Sequence, residues 1–176
     1  MRLLLVALVL IALLLGAKGM AVHKDLVSER RAIDADWTQV EAALEHRAAI
    51  TQELTALVRA EAPEETAAIG ALEEARKQLD SARGPQQKMQ ANGALDTALA
   101  RLMLRVDAYR KLDKSKKYGD LLEALKGAEY QIAVARRTYN EAVEHYNAAI
   151  ELFPNNVVAS VTRLGKVDAY FQTPAI

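Results

Sequence analysis

The side chains able to do chemistry are few and scattered. Histidine occurs at His23, His46 and His145 only, and none has a glutamate three residues before it, the spacing with which helical bundles hold carboxylate-bridged metal pairs. Glu141 and His145 stand four apart, a pairing that a solvated helix face supplies without any metal. The chain has 0 cysteines, which removes disulfides, thiolate zinc sites, iron–sulfur clusters and cysteine nucleophiles. The serines (Ser28, Ser81, Ser115 and Ser160) lie in no nucleophile elbow, and no glycine-rich phosphate loop or His-Glu-x-x-His string is present. The residues therefore predict neither a catalytic nor a cofactor or metal site, and the expectation is a protein that is not an enzyme. Lys plus Arg number 23 against 23 Asp plus Glu. Without a basic field to collect phosphates, nucleic acid is not an expected partner.

Two other sets of polar residues stand out by position. Arg47, Glu129 and Arg136 fall where an apolar stripe should continue, and a charge there sets register at a cost in stability or forms a polar slot for a ligand. Tyr139-Asn140 and Tyr146-Asn147 repeat seven residues apart and so line one side of a helix. Core packing is the first reading of these tyrosines, with the asparagines bonding to another helix or to the chain's end, and a partner-binding strip is the second.

The elements that hold these residues are helices. Only 8 glycines and 4 prolines interrupt the chain, and Ala, Leu, Glu, Arg and Lys dominate, a balance that favours helix over strand and turn. Residues 3–15 read LLLVALVLIALLL. That run suits a signal-peptide core, with a cleavage motif at Gly19-Met20-Ala21, or a membrane anchor if Gly19 to Val22 extend it past a snorkelling Lys18. Either way residues 1–21 form a segment apart. Lys18, Lys24, Arg30 and Arg31 follow the run and Arg2 precedes it, a weak bias toward keeping the body in the cytoplasm that the start amine offsets, so the side is left open.

From Leu26 to about Ala60, apolar residues at Ile33, Trp37, Val40, Leu44, Ile50, Leu54, Leu57 and Val58 recur at helical steps. Pro63 separates this first helix from a second carrying Ile69, Leu72 and Leu79, which ends at Gly84-Pro85. The third carries Leu95, Leu99, Leu102, Val106 and Tyr109, and its polar start, Gln86 to Gly93, predicts a frayed turn. After the DKSKK connector, a fourth runs to Phe153 with Tyr118, Leu122, Leu125, Glu129, Ile132, Arg136, Tyr139, Val143, Tyr146, Ile150 and Phe153 in a four-three rhythm. The fold class is all-α: an elongated antiparallel bundle of four main helices over residues 22–153, preceded by the apolar segment. A short amphipathic tail helix within 154–176 folds back near Trp37. Matching the ends of the long helices puts Arg47 level with Glu129 and predicts that the two pair.

The fourth-helix string from Glu129 through Ile132, Ala135-Arg136, Tyr139-Asn140, Ala142-Val143, Tyr146-Asn147, Ile150 and Phe153-Pro154 to Asn156 and Ala159 resembles the signature of the bacterial LemA family. Trp37, Val40, Leu44, Arg47 and Leu54, Glu74-Ala75-Arg76 and the Tyr170-Phe171 ending agree with it. One stretch departs: Ile50-Thr51-Gln52-Glu53-Leu54 stands where the family has a Leu-Ile-Pro-Asn-Leu segment and lacks both its Pro and its Asn, so a role tied to that kink is not carried over. The resemblance implies a single-pass membrane protein with an antiparallel helical domain, and it brings no reaction with it. The function expected is a non-enzymatic membrane-tethered adaptor or scaffold for envelope proteins. The alternative is a secreted or periplasmic small-ligand-binding module, which requires cleavage after Ala21. Self-assembly through the long helices is a further expectation.

Overall fold

The computed structural model describes residues 2–106 and 109–171. Among them the chain forms α1 (Arg2–Glu61), α2 (Thr66–Ser81), α3 (Gly84–Val106), α4 (Arg110–Asp113), α5 (Lys116–Ala149) and α6 (Asn155–Thr162), with no strand. The protein is all-helical.

Helix α1 joins the apolar segment to the first amphipathic helix without a break. Gly16 and Gly19 weaken a helix interior by about 1 kcal/mol each relative to alanine, too little to end one flanked by leucines. Every described side chain of residues 3–15 is exposed, and the helix that carries them is long and apolar enough to cross a membrane. Farther along, Leu26, Ile33, Val40, Arg47 and Leu54 are buried at seven-residue intervals, with Leu44, Thr51 and Val58 beside them. One member of that stripe is an arginine.

The described residues divide into two compact units. One holds the chain up to Asp36 together with Thr138–Tyr170, and the other holds Trp37–Arg137 together with Phe171. The first buries Leu26 and Ile33 of α1, Tyr139, Val143 and Tyr146 of α5, then Ile150, Ala159, Val167 and Ala169. Within it Glu29 meets His145 and Arg30 meets Tyr146. In the second, Leu54, Val58, Leu72, Leu95, Leu102, Leu112 and Leu125 belong to one apolar cluster drawn from α1 to α5. There Arg59 pairs with Glu73 and Gln52 with Arg76, so α2 runs back along α1. Lys88 lies 3.4 Å from Glu41, and Arg47 reaches Asp96, so α3 runs with α1 again.

Three expectations change. Residues Gln86 to Gly93 do not fray: α3 is helical from Gly84, which takes a φ of 69°, and Pro85 supplies a φ suited to a first helical turn. The side chain of Gln87 accepts the Arg83 backbone N–H at 2.9 Å, satisfying one of the donors that a helix start leaves open. The four-three rhythm of α5 also shifts in its first half, where Leu121, Leu125, Ala128 and Ile132 are buried and Glu129 is exposed. Two successive steps of four, from Ala128 through Ile132 to Arg136, restore the expected phase at Tyr139, because a straight helix drifts against a strict seven-residue repeat. Finally, α5 ends at Ala149 rather than Phe153, and Phe153 is 82% exposed.

The tail after Pro154 is helical only from Asn155 to Thr162, and only Ala159 of that helix is buried. Val161, on the apolar side of a tail helix expected to fold back near Trp37, is 79% exposed. The buried contacts come later, from an extended run in which Val167, Ala169 and Phe171 alternate inward with the period of two of an extended chain. The last five residues of the expected tail lie outside the described residues.

Candidate functional site

In the second unit a charge is enclosed. Arg47 sits on the inner stripe of α1 and is 3% exposed. Burying a guanidinium without partners is costly, so its neighbours decide whether α1 can pack at all. Both come from α3: Nη1 donates to Asp96 Oδ1 and Nη2 to Asn92 Oδ1. Asn92 Nδ2 in turn donates to Asp96 Oδ2 at 3.1 Å. The three residues close a ring in which one neutral amide and one carboxylate share the arginine. Asn92 is itself 1% exposed, whereas the Asp96 side chain is 45% exposed and keeps part of its hydration. The expected Arg47–Glu129 pair does not form. Ala128 takes the inward place on α5 that the strict rhythm assigned to Glu129, which turns the Glu129 carboxylate to solvent.

Arg136 feels the same carboxylate. Burial holds its pKa below the ordinary arginine value, the nearby Arg47 charge adds to that, and Asp96 opposes it. Its guanidinium lies over the Phe171 ring, 4.7 Å from the centroid, and Phe171 stacks on Trp37 at 6.0 Å with a 23° interplanar angle. Two guanidiniums and one carboxylate thus lie within electrostatic reach of one another, and the Phe171 face attracts the Arg136 cation. Asp96 also lines an open surface groove of about 330 Å³ with Glu129, Lys126, Leu99, Met103 and Leu122.

In the first unit the Tyr-Asn pairs meet the tail. Tyr139 and Tyr146 are buried. Burial pushes the Tyr139 phenol above its ordinary pKa, with Asp34 adding to the rise and Arg30 opposing it. Tyr146 donates its hydroxyl hydrogen to the Gly165 carbonyl at 3.1 Å, and Arg30 lies 5.8 Å from its ring centroid. Asn147 holds one residue from both sides: Nδ2 donates to the Val167 carbonyl at 2.9 Å, and Oδ1 accepts the Val167 N–H at 2.9 Å. Nδ2 also reaches the Tyr170 hydroxyl at 2.7 Å. An extended segment with no neighbouring strand needs some such partner for its backbone groups, and one side-chain amide supplies both halves of a ladder rung. Asn140 is half-buried on the same helix.

Sequence reasoning missed Asn92 and Asp96. Both lie on a helix whose start reads as polar and unpatterned, and the only signal for them is their four-residue spacing, which puts an amide and a carboxylate on one face. The histidines do not gather: His145 Nδ1 lies 3.6 Å from Glu29 Oε2 and His46 is exposed. Among the described residues no three His, Asp or Glu side chains are placed to share a metal ion.

Residues 36–175 match the pattern of the LemA family. The chain belongs to the LemA family. The match takes in Arg47, Asn92, Asp96, Arg136 and the Tyr-Asn pairs, and it leaves the apolar run outside. The chain is also similar to "Magnetosome protein MamQ 2" of Paramagnetospirillum magneticum, 30% identical over 99 residues that cover 56% of this chain and 36% of that protein. "Magnetosome protein MamQ" of Magnetospirillum gryphiswaldense is 31% identical over 85 residues, 48% of this chain and 31% of that protein. The chain thus spans about a third of the length of these curated relatives. For a LemA-family chain the Ile50 to Leu54 departure has a visible result. With no proline there, α1 continues, and Thr51 and Thr55 donate their hydroxyls to the carbonyls of Arg47 and Thr51 at 2.9 and 2.7 Å, satisfying buried hydroxyls without leaving the helix.

Proposed function

We propose that this LemA-family protein is a non-enzymatic, membrane-tethered helical adaptor or scaffold that presents its helical surface to envelope proteins. In this reading residues 1–21 are a single-pass anchor, 22–153 form an antiparallel four-helix bundle, and 154–176 pack upon it. The observation that carries the reading is the continuity of α1: exposed leucines and valines lead, without a turn or linker, into a stripe that organises a packed core. Exposed apolar length of that kind is stable in hydrocarbon and unstable in water. Arg47 is held by Asn92 and Asp96, and Asn147 by Val167, contacts that suit a structural body better than a turnover site. Similarity to proteins named for the magnetosome accords with a role in an assembled structure.

Two measurements test it. The full chain should resist alkaline extraction from membranes with its N-terminus intact by mass. Photo-crosslinkers at exposed Tyr130 or Leu104 should give the same protein adduct in repeated preparations. Release into the soluble fraction, or the absence of any reproducible adduct from either position, overturns the reading. A second reading, a small-ligand-binding module, is favoured by the open groove of about 330 Å³ lined by Asp96, Lys126 and Glu129. It requires cleavage after Ala21, and the intact mass separates the two.

A further inference from the structure

The helix α6 carries an apolar stripe that stays exposed among the described residues. Val157 and Val161 stand four residues apart on α6 and so share one face, and both are exposed, as are Leu152 and Phe153 in the turn just before it. Large apolar side chains exposed in a row are unusual on a soluble surface and mark a contact. Their neighbours say which contact. Val157, Val158, Val161 and Thr162 form one wall of an open groove of about 440 Å³ whose other wall is Gly16, Gly19, Met20 and His23 of α1. Those α1 residues are the end of the apolar run. At the two glycines an added methyl group would meet nothing within 4 Å, so they leave the groove open instead of packing against α6. His23 Nδ1 is buried there without a hydrogen-bond partner among the described residues.

We propose that α6 with the Leu152-Phe153 turn is a second membrane contact: it lies in the headgroup region of the same bilayer leaflet that α1 enters, and phospholipid fills the groove between them. The proposal rests on the anchor reading, since it is the apolar run that fixes where the bilayer is. If α1 enters hydrocarbon near Gly16, side chains packed beside Gly16 and Met20 are at the membrane surface. A short helix with apolar residues on one face and polar ones elsewhere lies in that interface. The ends of the segment fit as well. Arg163, at the C-terminal end of α6, and Lys18 and Lys24 on α1 are exposed cations at the groove's level, suited to phosphate groups, with long stems that reach them. Asn155, Asn156 and Ser160 supply the polar face.

The absence of cysteine makes the test direct. Single substitutions L8C, F153C, V161C and Y130C in the full chain, each labelled with an environment-sensitive fluorophore, are reconstituted into phosphatidylglycerol–phosphatidylcholine vesicles. All four positions are exposed, so the labels leave the core intact, and unchanged helical circular dichroism checks this. The proposal expects blue-shifted emission and loss of iodide quenching at L8C, F153C and V161C, with F153C and V161C quenched by a shallow lipid-borne quencher and L8C by a deep one. Y130C should remain open to iodide. If L8C is protected while F153C and V161C behave as Y130C does, the second contact is disproved and the anchor stands. If L8C is itself open to iodide, the anchor reading fails and the proposal falls with it. Protection at V161C that fades as the lipid-to-protein ratio rises assigns the stripe to a second copy of the chain and also overturns the proposal.

Discussion

The two units solve the same problem, a polar side chain facing inward, by different means. In one, a full charge on Arg47 is held by a carboxylate and an amide from a helix about 45 residues away in sequence. In the other, the neutral amide of Asn147 is held by backbone from a segment 20 residues away. The difference teaches what each kind of group demands. A guanidinium out of water must have a counter-charge wherever the fold can find one, so its partners cannot be exchanged cheaply. An amide needs only a donor and an acceptor, which any extended backbone offers.

Removing the counter-charge should therefore do the most damage. Asp96→Ala leaves Arg47 enclosed with Asn92 alone, and we expect a loss of about 3 kcal/mol in urea unfolding, the low end of what breaking a buried ion pair costs because Asp96 is half-exposed. Adding Arg47→Met to that variant should recover much of the loss, and no recovery would show that the pair is not what the site requires. Next comes Asn147→Ala, which strips both bonds from Val167 and should cost about 2 kcal/mol. Faster amide hydrogen exchange at Val167 with α5 itself unchanged is the specific sign, and equal exchange in both chains would remove the clasp. Glu129→Ala should change stability by less than about 0.5 kcal/mol, as exposed substitutions do. A larger loss would restore Glu129 to the interior.

The smallest effect is spectroscopic. Tyr109 donates its hydroxyl to Glu65 at 3.0 Å, and the carboxylates of Glu64 and Glu65 push its pKa up to about 12. The folded state thus keeps a proton that the unfolded chain gives up near the ordinary tyrosine value of about 10. Stability from this contact is complete below about pH 10 and is lost as pH rises toward about 12. A phenolate absorbance titration should show, besides the buried Tyr139, a late-ionising tyrosine that disappears in Tyr109→Phe.

Much of the helical layout is legible because it rests on punctuation and period. Pro63 and Gly84-Pro85 mark real boundaries, and Ile33, Val40, Leu44, Leu54 and Val58 lie on the buried side of α1 as their spacing predicts. The candidate site is legible only in part. Arg47, Tyr139 and Tyr146 are buried where the pattern puts them, but Arg47's partners lie on α3, and nothing local announces a pairing between residues far apart in sequence. Glu129 was misplaced by extending an exact seven-residue rhythm along a helix whose own period is closer to 3.6. The tail was misread for a related reason. Val157, Val161 and Leu164 fit a helical stripe, yet the inward residues Val167, Ala169 and Phe171 alternate by two, and the change of period falls at Arg163, where the chain takes a φ of 59°.

One of the two bonds by which Asn147 grips Val167 depends on its nitrogen. Were that amide hydrolysed to an acid, as asparagines do with age, an oxygen lone pair would replace the hydrogens aimed at the Val167 carbonyl, and attraction would become repulsion. The same atom also reaches Tyr170. The bond from the Val167 N–H would remain, so a change at one side chain would halve the clasp and loosen the run around Val167.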